Sequence, residues 1–176
     1  MTAHPPVLTL DQDRLFRESA WGKAALARAE EEGRRLTEEN RRIDAALENE
    51  ERDLTDRRAT LSAAEFAPLA SAFDSKVEEI RTAQEAKSRA IGRQLEEDRQ
   101  RFFEAATPVL AQLLEESGAA AILSDSAVIM SLSALDITSS AIARVDTALP
   151  PPQDDPAPPE GADPAPDAPA PDTPAP

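Results

Sequence analysis

A helix-start motif lies between two long stretches of helix-forming sequence. Before it, apolar or small residues recur every three or four positions over residues 26–61, which is the spacing of a coiled-coil helix face. Ser62 can cap a new helix, and Glu65, three residues later, can complete a capping box. We therefore predict that one long helix ends at a turn near residues 59–62. A second long helix then begins near Ala63, and the two form an antiparallel hairpin.

Both helices have recognisable outer ends. Ser19 is a predicted N-cap, so the first helix begins near Ala20. The second helix continues to about Ser117, where Gly118 provides the glycine that often follows a helix C-terminus. At 1.5 Å per residue the helices are about 60 and 80 Å long. Polar residues such as Glu50 interrupt the apolar stripe of the first helix, so the stripe is thinner than that of a self-sufficient coiled coil.

Short apolar segments at both ends of the hairpin predict a small sheet. Residues 7–10 have a strand-like composition, and so do residues 121–123 and 127–132, which a short polar turn separates. A last short helix is predicted to start at Thr138 or Ser139, either of which can cap it. The predicted fold class is therefore α+β, with the order β-α-α-β-β-α.

The chain divides into three predicted parts. Residues 1–19 and 118–149 form a β body, and residues 20–117 form a helical-hairpin arm. Residues 150–176 hold 12 of the 16 prolines, six acidic residues and no basic residue, which predicts a disordered acidic tail. We interpret the tail as a solubilising extension, the alternative being a spacer toward another partner. A body of about 50 residues is marginal as an independent core, and a small sheet has open edges. We therefore expect several chains to complete the body by oligomerisation.

Composition argues against several classes of function. A net charge of −15 disfavours a nucleic-acid ligand, and the sequence contains no run of about 18 apolar residues of the kind that spans a membrane. The chain has no cysteine, a single histidine at His4 and no Gly-rich phosphate loop. The acidic runs at residues 30–32 and 96–98 are interpreted as solvated helix faces rather than cation sites. We expect no enzyme activity, no cofactor and no metal.

Three segments resemble the Skp/OmpH family of periplasmic chaperones, in particular its alphaproteobacterial members. They are VLTLDQDRLFRESAWGKAAL at the entry to the arm, LSAAEFAPLASAFDSKV at its tip, and GAAAILSDSAVIMSLSALDITSSAIARVD after it. The resemblance covers about residues 7–149. It implies a homotrimer whose β-barrel body is built by three chains, and whose three arms enclose a cavity for unfolded outer-membrane β-barrel proteins.

The resemblance further implies an ATP-independent holdase in the periplasm. Contact with the membrane surface or with the barrel-assembly machinery is also implied. The first residues, MTAHPPVLTL, lack the features of a signal peptide, so either the protein is cytoplasmic or a signal was removed or omitted. The best-known members are basic, whereas the arm of this chain holds 16 basic and 22 acidic residues. A lipopolysaccharide site that needs clustered basic residues is therefore not predicted.

Candidate functional residues fall into three groups. The predicted client-binding residues are the apolar residues of the arm toward its tip: Leu36, Ile43, Leu47, Leu54, Leu61, Phe66, Leu69, Phe73, Val77 and Ile80. Each of them could instead serve only to hold the two helices together. The predicted body core or trimer interface consists of Val7, Leu8, Leu10, Ile122, Leu123, Val128, Met130 and Leu132. Gly33 and Gly92 are predicted to lie at the same height of the arm and to form a hinge, or else to be two independently tolerated glycines.

Two other functions remain open at this stage. A prefoldin-like cytoplasmic chaperone also has long helical arms, but its strands lie between the helices, whereas here they flank them. A structural or adaptor coiled coil without chaperone activity is the second alternative. Suppression of aggregation of an unfolded barrel protein distinguishes a holdase from such a spacer.

Overall fold

The computed structural model describes residues 6–151. In chain order its main elements are β1 (Val7–Leu10), α1 (Gln12–Glu18), α2 (Ala20–Arg58), α3 (Ala63–Ser117), β2 (Ala121–Ser124) and α4 (Thr138–Ala148). Two single-turn 3₁₀ helices, Asp125–Ala127 and Ser133–Leu135, lie between β2 and α4. His4 and all but the first two residues of the predicted tail at 150–176 lie outside the described residues.

Local signals set the ends of the long helices as the sequence predicts. Ser62 Oγ accepts a hydrogen bond from the Glu65 N–H at 3.4 Å, and a Glu65 carboxylate oxygen accepts one from the Ser62 N–H at 2.9 Å. This capping box starts α3 immediately after the turn. Gly118 ends α3 in the left-handed conformation, with φ 61°. At the other end of the arm, Ser19 Oγ caps α2 by accepting from the Gly22 N–H at 3.0 Å.

The sheet differs from the predicted one. β1 and β2 pair in parallel, with Val7 opposite Ala121, and an isolated parallel bridge joins Thr9 to Asp136. Because Thr9 has partners on both edges, β1 lies between β2 and Asp136. The predicted third strand at residues 127–132 is wrong for this chain. The chain makes a 3₁₀ turn after β2 instead of a hairpin, and then returns to the far edge of β1.

The start of α4 also differs from the prediction. Neither Thr138 nor Ser139 caps the helix, and the N-cap position is occupied by Ile137. Asp136 takes over part of that role, because its carboxylate accepts a hydrogen bond from the Thr138 N–H at 2.8 Å. Thr138 is fully buried, and its hydroxyl oxygen accepts from the Asp11 N–H at 3.0 Å. The side chain expected to be a cap therefore ties α4 to the start of α1.

The hydrophobic core joins the body to the inner ends of both long helices, which we call the arm root. Its buried members come from β1 and all four helices: Leu10, Leu15, Phe16, Ala25, Phe102, Ala106, Val109, Ala141 and Val145. Phe102 is completely buried, and its ring meets that of Phe16 edge to face, with 5.4 Å between the centroids. Edge-to-face pairs of this kind add about 1 kcal/mol to the free energy of area burial. The arm is thus anchored by aromatic packing at its root.

One carboxylate is buried at the arm root. Asp98 is 2% exposed and accepts hydrogen bonds from Arg28 at 3.2 Å and from Arg101 at 2.7 Å. The prediction of a solvated face at residues 96–98 is therefore wrong for Asp98. Because Arg28 belongs to α2 and Asp98 to α3, this ion pair links the two helices where they leave the core. A buried charge needs such partners, since leaving it unpaired is costly.

Candidate functional site

The arm carries a long apolar seam that is neither buried nor fully exposed. All ten residues predicted to bind clients are half-buried. From residue 26 to residue 97, which includes the whole arm beyond its root, not one residue is fully buried. Two helices alone cannot enclose their apolar side chains, because a third surface is needed to cover them. The seam therefore keeps part of its apolar area open along its length.

Part of the seam forms an open groove of ≈ 650 Å³ between α2 and α3, which we call the arm groove. Its lining residues are Gly33, Leu36, Thr37, Asn40, Ile43, Asp44, Leu47, Val77, Ile80, Arg81, Gln84, Glu85, Ser88 and Ile91. Five of the predicted client-binding residues lie in it: Leu36, Ile43, Leu47, Val77 and Ile80. The other five lie closer to the turn: Leu54, Leu61, Phe66, Leu69 and Phe73.

Sequence reasoning identified Asn40 as an interruption of the apolar stripe but missed Gln84, the other polar residue in an apolar position of the arm groove. Gln84 follows Val77 by seven residues and precedes Ile91 by seven, so it occupies an apolar position of the heptad. Asn40 precedes Leu47 by the same interval on the other helix. The signal was therefore present as a polar residue in an apolar position on each helix. This pattern indicates a layer of polar side chains across the middle of the groove.

An ion pair across the arm holds Gln84 in place. Glu39 of α2 accepts hydrogen bonds from Lys87 Nζ at 2.6 Å and from Gln84 Nε2 at 3.0 Å. The Lys87 ammonium, followed by the Gln84 amide, lowers the pKa of the Glu39 carboxyl below its ordinary value. The side-chain oxygen of Gln84 is buried and has no hydrogen-bond partner among the described residues. The groove thus contains one unsatisfied acceptor.

Of the charged residues that line the arm groove, two form ion pairs and one does not. Arg81 contacts Glu85 at 3.1 Å, and Glu85 also lies 3.7 Å from Arg89. Asp44 is exposed and forms no ion pair or hydrogen bond with the described part of the chain. Asp44 is therefore the one charged lining residue without an ion-pair partner in the described part of the chain.

Gly33 and Gly92 lie between two ion pairs that cross the arm. Arg28–Asp98 is on the root side of both glycines, and Glu39–Lys87 is on the tip side. The two glycines are therefore at nearly the same height, as the hinge prediction requires. A Cβ built at either glycine would meet nothing within 4 Å. No close packing demands glycine at these positions, and the hinge itself stays a prediction.

The predicted body residues divide into buried and exposed sets. Leu8 and Leu10 are buried, and Ile122 packs against the core. Val128 is half-buried, whereas Val7 and Leu123 are substantially exposed. Met130 and Leu132 are 86% and 73% exposed, and the neighbouring Ile129 is fully exposed. The assignment of these residues to a core or an interface between chains stays a prediction.

Residues 6–151 contain neither a metal-binding cluster nor a helix suited to span a membrane. Within that range, no group of three or more histidine, cysteine, aspartate or glutamate side chains is arranged to hold a metal ion. No helix in the same range is long and apolar enough to cross a membrane.

Comparison with known proteins agrees with the architecture. No curated protein matches the sequence. The chain is similar to the crystal structure of an OmpH-like protein from Caulobacter crescentus CB15 that was assigned as an outer membrane chaperone, with a TM-score of 0.78, 20% identity, and coverage of 87% of this chain and 90% of that chain. This likeness shows the fold. The family model described as outer membrane protein (OmpH-like) matches residues 6–145. Because that match covers most of the sequence, the chain belongs to the Skp/OmpH family that its sequence predicts.

Proposed function

We propose that the protein is an ATP-independent holdase chaperone that binds unfolded outer-membrane proteins in the periplasm. Membership of the OmpH-like family supports a chaperone role and a bacterial periplasmic location. The observation that carries the proposal is the half-buried seam, which extends from the root to the turn without one fully buried residue. A long, partly open apolar surface suits a client that exposes apolar side chains at many points along its chain.

Weak contacts at many points explain how such a surface holds a client without trapping it. Each apolar contact contributes about 25 cal/mol per Å² of area removed from water, and a half-buried side chain offers only a fraction of its area. Several arms around one client raise the effective concentration of these sites. Release requires no nucleotide, because the client leaves when folding elsewhere buries its apolar residues more completely.

We further propose that three chains assemble through their bodies, so that the arms surround a cavity. The apolar residues Ile129, Met130 and Leu132 support this, because they are exposed on the single chain next to a two-stranded sheet. Exposed apolar segments of this kind are commonly covered by a partner. Light scattering on a sizing column is expected to give three times the chain mass of 18.9 kDa. A mass of one or two chains would contradict the three-armed arrangement.

The holdase activity is tested by diluting a urea-unfolded outer-membrane barrel protein into buffer without nucleotide. We expect near-stoichiometric amounts of the protein to suppress the light scattering of the aggregating client. Replacing Leu47 and Val77 by serine removes apolar groups from the seam and should raise the amount needed for suppression. Ala46→Ser is the matched control, because it adds the same hydroxyl group at an exposed position of α2. Unsuppressed aggregation with the unmodified protein would favour a structural coiled coil.

A further inference from the structure

Ion pairs that join the two helices of the arm recur at a constant interval. Three pairs that link α2 to α3, in order from the root toward the tip, are Arg28–Asp98, Glu39–Lys87 and Glu50–Lys76. Each pair lies eleven residues after the previous one on α2 and eleven residues before it on α3. Antiparallel helices keep one register only if the intervals on the two helices are equal. The ion pairs therefore follow a single register over most of the arm.

Apolar residues follow the same interval of eleven. On α2 these positions hold Ala25, Leu36 and Leu47, and on α3 they hold Leu69, Ile80, Ile91, Phe102 and Leu113. The members within residues 36–47 and 80–91 line the arm groove, whereas Ala25 and Phe102 are buried at the arm root. Eleven residues complete about three turns of an α-helix, so residues at this interval share one face. Seven-residue intervals, as on either side of Gln84, occur inside this longer repeat.

The arm thus contains two copies of one unit. The middle module consists of residues 36–46 and 81–91, and the outer module consists of residues 47–57 and 70–80. Both modules have leucine first, glutamate fourth and arginine sixth on α2, and alanine third, lysine seventh and isoleucine last on α3. In each module the repeated glutamate and lysine are the residues that pair across the arm. The modules are therefore alike in sequence and in the contact that joins their two helices.

We propose that these modules are interchangeable units of the arm, and that their number sets the length of apolar seam that a client can contact. Each module supplies its own cross-arm ion pair and its own apolar residues, so one module can be removed or added while the other keeps its contacts. At 1.5 Å per residue, each module contributes about 16 Å to the arm. The role of seam length rests on the proposed holdase function, whereas the interchangeability of the modules depends on the chain alone.

The first test removes the middle module from both helices. The deletion joins Arg35 to Leu47 and Ile80 to Gly92, so the outer module takes the place of the middle one with its register unchanged. The matched control removes the same total number of residues unequally. It lacks residues 36–43 of α2 and 78–91 of α3, so the remaining parts of the two helices no longer meet in register.

Circular dichroism and small-angle X-ray scattering distinguish the two deletions. We expect the equal deletion to lose helical signal only in proportion to the residues removed, and to shorten the arm by about 16 Å. The unequal deletion should lose more helical signal and unfold at a lower temperature. A protein with a duplicated middle module should fold with an arm about 16 Å longer. Equal losses in the two deletions, or a duplicated arm that does not fold, would overturn the modular register.

The aggregation assay tests the role of seam length. Suppression of client light scattering should require about twofold more of the shortened protein than of the unmodified one, and less of the lengthened protein, because each module adds apolar area at which the client is held. Equal suppression at all three arm lengths would refute the role of seam length alone. Absence of suppression by the unmodified protein would refute the holdase function and with it that role, whereas scattering and unfolding decide the register of the modules in either case.

Discussion

Replacing Gly22 by alanine should destabilise the protein, although alanine is the better helix former. Gly22 lies in the first turn of α2, where α1 and α2 approach most closely. A Cβ at this position would lie 1.7 Å from the carbonyl oxygen of Phe16 and 2.6 Å from its carbonyl carbon. Both are backbone atoms, so no side-chain rotation relieves the overlap. The two helices must separate, and the separation disturbs the Phe16–Phe102 contact in the core.

The expected magnitude follows from two opposing terms. Alanine gains about 1 kcal/mol over glycine in helix propensity. Overpacking of a core costs about 1–3 kcal/mol, and loss of the Ser19 cap as α2 shifts adds about 1 kcal/mol. The cap is at risk because the Gly22 N–H is its donor, at 3.0 Å. We expect a net loss of about 2 kcal/mol in the free energy of unfolding, or a fall of about 4–8 °C in Tm for a chain of this length.

Guanidinium unfolding followed by far-ultraviolet circular dichroism measures this change, and fluorescence of the adjacent Trp21 reports the arm root. Protein concentration must be fixed, since assembly would couple stability to concentration. Gly33→Ala is the control, because a Cβ there meets nothing within 4 Å and should stabilise α2 by about 1 kcal/mol. A Gly22→Ala protein as stable as the unmodified one would refute the reasoning, because the close approach of α1 and α2 would then be unnecessary.

Three further predictions concern the arm. Asp98→Asn should lower the free energy of unfolding by about 2 kcal/mol, because it removes the buried carboxylate that Arg28 and Arg101 bind; an unchanged denaturation midpoint would contradict the ion-pair role. The hydrogen bond from Arg34 is the main reason that the pKa of the Glu31 carboxyl is lowered to about 2. A carbon-detected NMR titration should give that pKa, and Arg34→Ala should raise it. Since the folded pKa is depressed from 4.5, the ion pair contributes fully only above about pH 4.5 and is lost as the pH falls toward 2. Replacing both Gly33 and Gly92 by alanine should slow amide hydrogen exchange in the middle of the arm, and unaltered exchange there would count against a hinge.

The ends of the arm could be predicted from the sequence because their signals are local. The capping box of Ser62 and Glu65 lies within four residues, and Gly118 needs only its own backbone conformation. A third strand at residues 127–132 was predicted wrongly because strand pairing is not local. Its apolar composition suits a strand, but β2 pairs with β1, and the far edge of β1 is met by Asp136. Which edge is available depends on the whole chain, and composition does not contain that information.

In the candidate site, too, features that follow from local spacing could be predicted, whereas features that depend on contacts between distant residues could not. The apolar residues of the arm groove follow from heptad spacing, which fixes the face of each helix that meets the other. The burial of Asp98 does not follow from spacing, because α1 and α4, which lie outside the arm, pack against the arm root. The free oxygen of Gln84 likewise depends on Glu39 of the other helix, which competes for its amide. Interactions between helices therefore set the polar features that the sequence pattern leaves open.

The position of β1 between β2 and Asp136 has a consequence for the order in which the chain folds. The first described strand pairs with β2 and contacts Asp136, so the body closes only after nearly all of residues 6–151 have been made. Helices form locally within microseconds, whereas pairing across more than a hundred residues must first overcome the entropy of closing that loop. The arm is therefore the early structure and the body the late one. A newly made chain thus exposes its seam before its core is complete. The time between formation of the arm and closure of the body increases with the length of the arm.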